Sequence, residues 1–296
     1  EPADWDIATD ALPERIVELL PGGRYENRFG TVTIEQVEIT TFRRDHQYAD
    51  HRRPDSVTFT DDLGADLARR DFTINAIAWG RAGHETDDAL APGWADPTGG
   101  LADLRAGVLR AVGDPRQRFD EDSLRLLRAA RLAAQLDFEI EPHTRAARAG
   151  SADLAEWVSR ERVADELRKL LRARPPSRGL ALLADTGLLA GFFPELAAQQ
   201  GVPQAKITGH DLWGHCLATL DGAAAVAPDD ERLALAALLH DIGKPATRRH
   251  EPGGRVSFHH HEVVGAKLVR KRLTALRSPK DVTEAVARLT FLHLRF

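Results

Sequence analysis

The spacing of apolar positions changes about a third of the way along the chain. In the first hundred residues it mixes periods. "TVTIEQVEITTF" (31–42) alternates apolar and polar positions and is rich in β-branched residues, which predicts strand. "DALPERIVELL" (10–20) places Pro13 near a helix start and Ile16, Leu19 and Leu20 on one helical face. "DPTGG" (96–100) is a turn that closes this region. Beyond it, helical periodicity dominates. "DEDSLRLLRAARLAAQL" (120–136), "SRERVADELRKLLRA" (159–173) and "ERLALAALLHDIG" (231–243) each predict a helix. "RARPPSRG" (172–179) and "ELAAQQGVPQ" (195–204) are the expected joints. The pattern predicts an α+β head over 1–110, a helical middle over 111–200 and a helical tail domain over 201–296.

The length of 296 residues suits two or three domains, and 43% apolar with 29% charged residues is the balance of a soluble globular chain. No run of eighteen apolar residues is present, so no membrane partner is expected. No secretion-signal pattern is visible, and the single cysteine, Cys216, has no partner for an internal disulfide. A cytoplasmic location is the expectation. The net charge of −5 is unevenly distributed. Residues 105–178 hold 16 basic and 12 acidic residues, a net of +4, leaving −9 for the rest. Nearly all of that basic excess is arginine, whose planar fork suits phosphate. The segment is a candidate nucleic-acid surface, although charge alone favours a solvated helical face.

Candidate chemistry begins with Asp4 and Asp6. On a strand, side chains at i and i+2 share a face, roughly 6–7 Å apart. Two acceptor-only ligands placed so can hold magnesium together with substrate phosphates. Glu38 is the candidate third carboxylate on a neighbouring strand, with Glu35 expected on that strand's opposite face. The competing reading of Asp-x-Asp is a solvated turn. In "DLARRDFTINAIAW" (66–79), Arg69, Arg70, Asp71 and Asn75 stand against an apolar run; composition alone makes Asp71 a helix cap and the arginines surface residues.

"DWDIATDALPE", "DHRRPDSVTF", "RRDFTINAIAW", "DPTGGLADLRAGVLRAVGDPRQRFDEDSLRLLRAARLAAQLDFEIE" and "LLHDIGKPATR" follow one another in this order. Together they resemble the bacterial class II tRNA nucleotidyltransferases, the CCA-adding enzymes, with an appended HD domain. The bacterial poly(A) polymerases share the same head. The resemblance implies an α+β, palm-type nucleotidyltransferase head with a mixed sheet, an all-α neck and body, and an all-α HD domain. It implies that Asp4 and Asp6 are the Mg2+-binding catalytic carboxylates, beside which Glu38 stays the candidate third. Arg69, Arg70, Asp71 and Asn75 match the motif that handles the incoming nucleotide's ribose and phosphates. Asp50, Arg52 and Arg53 in "YADHRRP" match a flexible loop concerned with nucleotide switching or phosphate contact.

"EDSLR" (121–125) matches the family's nucleotide-selecting motif. On a continuous helix, Asp122 and Arg125 would share a face. A carboxylate accepts and a guanidinium donates. Asp122 can therefore accept from the exocyclic amine that cytosine and adenine both carry, while Arg125 donates to the ring nitrogen beside it. Uracil and guanine place an oxygen against the carboxylate instead. The plain alternative is a surface ion pair. Arg128, one turn on, supports either. Arg160 and Arg162 in "SRERVADEL" resemble a later motif that braces the base-reading helix or contacts tRNA.

The tail is rich in histidine. An adjacent His240–Asp241 pair ends an apolar helix. His215 is the expected upstream ligand, and His261 and His293 are later ones. Imidazole with carboxylate suits a divalent transition metal that activates water toward phosphate esters. The alternative is a retained fold with no metal chemistry. Whether a last ligand follows Phe296 stays open.

The leading expectation is template-independent addition of C, C and A from CTP and ATP to the tRNA 3′ end, with release of pyrophosphate. Poly(A) polymerase, or an enzyme restricted to A or to CC addition, is the nearest alternative. An HD-type phosphohydrolase with an RNA-binding head is the alternative from another class. The chain contains no methionine, and the family's Gly-Gly-x-Val-Arg-Asp stretch does not precede Asp4. The expectation is a chain lacking its first helix and strand, with apolar head surface bare where they belong.

Overall fold

The computed structural model describes residues 5–25, 29–46, 48, 54–80, 93–148, 158–203 and 211–295. Contacts divide the chain into two compact units, Glu1–Asp122 and Ser123–Phe296.

The first unit opens with β1 (Asp6–Thr9), α1 (Pro13–Leu19), β2 (Arg24–Tyr25), β3 (Thr31–Ile34) and β4 (Val37–Thr41). These strands form a mixed sheet in the order β1-β4-β3-β2. β1 runs parallel to β4, with Asp6 opposite Glu38 and Thr9 opposite Thr41, while β3 is antiparallel to both of its neighbours. Helix α1 packs Ile16 against Val32 and Ile39 to make the sheet's core. Pro13 occupies the first turn, as expected. Leu19 and Leu20, however, are 53% and 43% exposed. The helix has only seven residues and Leu20 lies past its end, so the expected apolar face reduces to Pro13 and Ile16. Trp5, Ile7 and Leu12 are exposed as well.

The stretch 31–42 is a hairpin rather than one strand. Glu35 adopts φ 53° in a two-residue turn with Gln36. Glu35 therefore sits in the turn, not on the opposite face of the strand carrying Glu38.

A second ribbon pairs β5 (Arg43–His46) with β6 (Ser56–Phe59). It leads into α2 (Leu63–Ala68), whose first turn is capped by the Asp62 carboxylate accepting from the Ala65 amide at 3.1 Å. A 3-10 turn, Thr73–Asn75, precedes β7 (Ala78–Gly80), which pairs with β8 (Gly93–Ala95). Next come α3 (Gly100–Ala106), β9 (Val108–Leu109) and α4 (Pro115–Glu121). A Cβ at Gly100 would lie 2.1 Å from the Thr73 carbonyl oxygen, so only glycine lets α3 start against that turn.

The second unit is helical. It contains α5 (Leu124–Leu136), a short β10 (Glu139–Ile140), α6 (Pro142–Arg148), α7 (Arg160–Leu171), α8 (Ser177–Asp185), α9 (Leu188–Phe192) and α10 (Pro194–Ala197). It continues with α11 (Leu212–Val226), α12 (Glu231–Leu239), α13 (Lys244–Thr247), the hairpin β11 (Arg249–His250) and β12 (Val256–Ser257), α14 (His261–Ala275) and α15 (Lys280–Leu292). Helix α5 packs on α7 and α8; α12 packs on α11 and α15; α14 packs on α15. Among the described residues no helix is long and apolar enough to cross a membrane.

The expected helix over 120–136 is broken. Helix α4 ends at Glu121, Asp122 is extended at φ −146° and ψ 103°, and α5 begins at Leu124. Asp122 and Ser123 are two weak helix formers in succession, and α4 has its own start at Asp114–Pro115.

Candidate active site and metal centre

The parallel pairing of β1 and β4 sets Asp6 and Glu38 directly opposite each other. Both are exposed and both line a cleft of about 210 Å³, together with Thr31, Thr40, Arg43, Arg69 and Arg70. Paired carboxylates offer oxygen donors alone, the set a hard divalent cation selects, so these residues fit one. Asp4, Asp50, Arg52 and Arg53 lie outside the described residues.

The arginines facing this pair are held from behind by two aspartates. Asp66, at 1% exposure, accepts from Arg69 Nε at 3.0 Å, from Arg69 Nη2 at 2.6 Å and from Arg70 Nη2 at 3.3 Å. It also accepts from the Arg43 backbone amide at 3.2 Å. Asp45 accepts from Arg43 Nε at 2.9 Å and lies 3.7 Å from Arg69 Nη1. The Arg43 guanidinium donates further to the Phe29 carbonyl at 2.7 Å. Burial, and after it the neighbouring Arg69 cation, lower the Arg43 pKa. An anion in the cleft would relieve that crowding of positive charge.

Asp71 and Asn75 do not line this cleft. They are bonded to each other: Asp71 Oδ1 accepts from Asn75 Nδ2 at 3.0 Å and from the Phe72 amide at 2.8 Å. The turn carrying them is fixed by Phe72, fully buried, and by the Thr73 hydroxyl donating to Asp103 at 2.7 Å. Asp71 is thus no helix cap; its carboxylate organises the turn.

Asp122 and Arg125 fall on either side of the helix break, Asp122 as the extended residue and Arg125 as the second residue of α5. Sharing one face of a continuous helix does not apply to them. Arg128 lies 3.8 Å from Glu166, a buried residue of α7 that also accepts from Arg131 at 2.6 Å. Arg160 is the exposed first residue of α7, and Arg162 is half-buried.

The histidine cluster assembles completely. His215 comes from the first turn of α11, His240 and Asp241 follow α12, His261 opens α14, and His293 caps α15. His215 Nε2 lies 3.1 Å from His240 Nε2, and His261 Nε2 lies 3.2 Å from His293 Nε2. Buried Asp241 joins the two pairs. Its Oδ2 is 3.1 Å from His240 and 3.6 Å from His215, while its Oδ1 is 3.2 Å from His261 and 3.4 Å from His293. Nitrogen donors at about 2.0–2.1 Å from a tetrahedral ion stand roughly 3.3 Å apart. The outer nitrogens agree. Nδ1 of His240, His261 and His293 donate to the carbonyls of Ala237, Phe258 and Thr290 at 2.8, 2.7 and 2.6 Å. That hydrogen bonding turns each Nε2 lone pair inward. His215, His240 and Asp241 form one candidate ligand triad and Asp241, His261 and His293 another. Burial opposes ionisation of Asp241, but hydrogen bonds from His240, His261 and His293, which these rings can donate only when protonated on both nitrogens, outweigh it and hold the carboxyl far below the usual carboxylate range. Gly243 makes the convergence possible: a Cβ there would lie 2.2 Å from the His261 carbonyl oxygen.

Sequence reasoning missed Arg43, Asp45, Asp66 and Lys244. Lys244 Nζ lies 2.6 Å from Asp241 Oδ2, and a cleft of about 890 Å³ with mainly apolar walls opens beside it. The i, i+3 spacing of Asp241 and Lys244 is a signal that was available; the Arg43–Asp66 contact spans 23 residues and left none.

Carboxylates in parallel register before an arginine wall, followed in the chain by a helical His-Asp cluster, define a nucleotidyltransferase-type head joined to an HD-type domain. Family models match in the same order: the poly A polymerase head domain over residues 1–110, the "Probable RNA and SrmB-binding site of polymerase A" over 137–200 and the HD domain over 212–295. The CCA-adding enzyme of Geobacillus stearothermophilus is 41% identical over 250 residues, covering 83% of this chain and 56% of that protein. That of Levilactobacillus brevis is 45% identical over 190 residues, covering 62% and 46%. The crystal structure of Bacillus stearothermophilus CCA-adding enzyme in complex with CTP aligns at a TM-score of 0.61 and 31% identity, covering 97% of this chain and 60% of that one. The chain belongs to the bacterial tRNA nucleotidyltransferase and poly(A) polymerase family. It spans about half the length of the curated relatives it matches.

Proposed function

We propose that the chain carries the catalytic head and HD domain of an enzyme that adds C, C and A from CTP and ATP to the 3′ end of tRNA in the cytoplasm. The observation that carries this reading is the Asp6–Glu38 register pair facing Arg43, Arg69 and Arg70 in one cleft. The relatives' names, and the CTP in one relative's structure, support it. Asp6 and Glu38, with Asp4 by resemblance, would hold Mg2+. When bound, that ion neutralises charge on the reacting phosphate and favours the ionised 3′ hydroxyl. The arginine wall grips the triphosphate and orients its α-phosphorus toward the tRNA 3′ oxygen. A new P–O bond forms there, and pyrophosphate leaves with the bond it breaks. Positioning and electrostatics supply most of the rate.

Base choice is assigned to Asp122 and Arg125, with Arg128 in support. The ribose is assigned to Asp71 and Asn75, and loop switching to Asp50, Arg52 and Arg53. Arg160 and Arg162 brace α5 or meet tRNA. The proposed domains are 1–110, 111–200 and 201–296. The decisive experiment offers labelled CTP, ATP, UTP and GTP separately to tRNA ending before CCA, after C and after CC. Incorporation of C, C and then A supports the reading, and A alone or CC alone replaces it with a restricted enzyme.

The converging ligands around Asp241 favour a second activity in the same chain: metal-dependent hydrolysis of a phosphate ester. His215, His240, Asp241, His261 and His293 would hold a divalent transition metal, which when bound supplies an activated water. Lys244, paired with Asp241 and lining the adjoining cleft, would meet the ester's negative charge.

A further inference from the structure

Residues 244–296 hold twelve Lys and Arg against four Asp and Glu, a net of +8 in a chain whose total is −5. The four acids are largely occupied. Asp281 pairs with Arg232 at 2.6 Å and Glu284 with Arg270 at 2.9 Å. Glu251 accepts from the Ser257 hydroxyl at 2.6 Å, and Glu262 lies 4.0 Å from His260. Acids from outside the segment take up Lys244, Arg272 and Arg277 through Asp241, Glu195 and Glu161, which still leaves the segment an excess of positive charge.

Three of these cations line a groove of about 460 Å³ between α14 and α15. Val263, Ala266 and Phe291 supply its apolar surface, and the exposed cations Lys267, Arg270 and Arg288 line it with one exposed carboxylate, Glu284, which Arg270 engages. Among the described residues, only Arg270 of these three has an ion-pair partner. Lys271, also exposed, follows Lys267 by four residues, so two like charges share a helical face at some cost to the helix. The Arg295 guanidinium sits over the Phe291 ring, 5.1 Å from its centroid. Arg270 takes up the groove's one carboxylate, so Lys267 and Arg288 leave it net positive beside an aromatic ring, which matches a track for a nucleic-acid backbone.

We infer that the α14–α15 groove binds the phosphate backbone of RNA, giving the HD domain a part in holding the tRNA substrate. The inference rests on the reading of the chain as acting on tRNA.

The test uses the full-length protein and compares wild type with K267E/R288E and the neutral K267Q/R288Q. The affinity for tRNA lacking CCA is measured by fluorescence anisotropy across a salt series. Each lost phosphate contact lowers the slope of log affinity against log salt by roughly 0.7–0.9. The neutral pair should lower it by about 1.5, and the charge reversal should also weaken low-salt binding by about tenfold or more. The neutral pair decides the matter if the reversal fails to fold. An unchanged slope and affinity, with wild type still binding tRNA and adding nucleotides, overturns the groove and leaves the proposed function standing. A wild type that neither binds tRNA nor adds nucleotides overturns both.

Discussion

Glu38 stands opposite Asp6 across two parallel strands, so one strand register positions both carboxylates without help from a loop. Both are exposed, and their loss leaves the core intact. Asp6→Asn or Glu38→Gln should cut nucleotide incorporation by about 10²-fold or more, as loss of several kcal/mol of transition-state stabilisation requires. Stability should stay within about 0.5 kcal/mol of wild type. Incorporation assays beside chemical denaturation check both halves; near-normal turnover in either variant removes that carboxylate from the site.

Asp66 illustrates the opposite case. It is buried beneath Arg69 and Arg70, so Asp66→Ala removes the carboxylate that Arg70 pairs with and leaves Arg69 the longer contact to Asp45. Breaking a buried charge pair costs about 3–5 kcal/mol. Partial exposure of both arginines should bring the cost toward the lower end. Denaturation should show a large loss for Asp66→Ala, accompanied by a raised KM for nucleotide in whatever fraction remains folded.

Asp122→Ala and Arg125→Ala test base choice separately from chemistry. Each should erode discrimination against UTP and GTP or reduce CTP and ATP use together. An unpaired polar group against the base costs about 1–3 kcal/mol, or roughly 5- to 150-fold in selectivity. Wild-type rates and fidelity in both variants would remove the pair from base selection.

In the second unit, His240→Ala with Asp241→Ala should abolish retention of divalent metal and any phosphatase or phosphodiesterase activity. Nucleotide addition should be spared. Elemental analysis, phosphate release and incorporation measured on one preparation decide it. Loss of addition in a still-folded double variant contradicts two separate sites.

The legible and illegible parts of the molecule differ in range. The grouping of His215, His240, Asp241, His261 and His293 was legible because each lies at a helix end marked by its own local pattern. The 31–42 hairpin was not, since Glu35–Gln36 lacks the usual Gly or Asn turn signal. Its trace is a slip in alternation, from Val32 and Ile34 to Val37 and Ile39. The break at Asp122 was hidden by helical periodicity on both sides, although the weak helix formers Asp122 and Ser123 marked it. Arg43, Asp45 and Asp66 were illegible for a deeper reason: a buried charge reveals its role only through partners that the fold brings together.

The five side chains of the histidine centre lie on or at the ends of four helices, α11, α12, α14 and α15, and span residues 215–293. An unfolded chain cannot hold them in one place, so an ion bound there discriminates between folded and unfolded states. At a free concentration 100 times its dissociation constant it adds about 2.7 kcal/mol to folding. A chelator should then act as a selective denaturant. It should lower the melting transition of the helical unit while leaving that of the sheet-containing unit in place, and calorimetry of the intact protein would resolve the two.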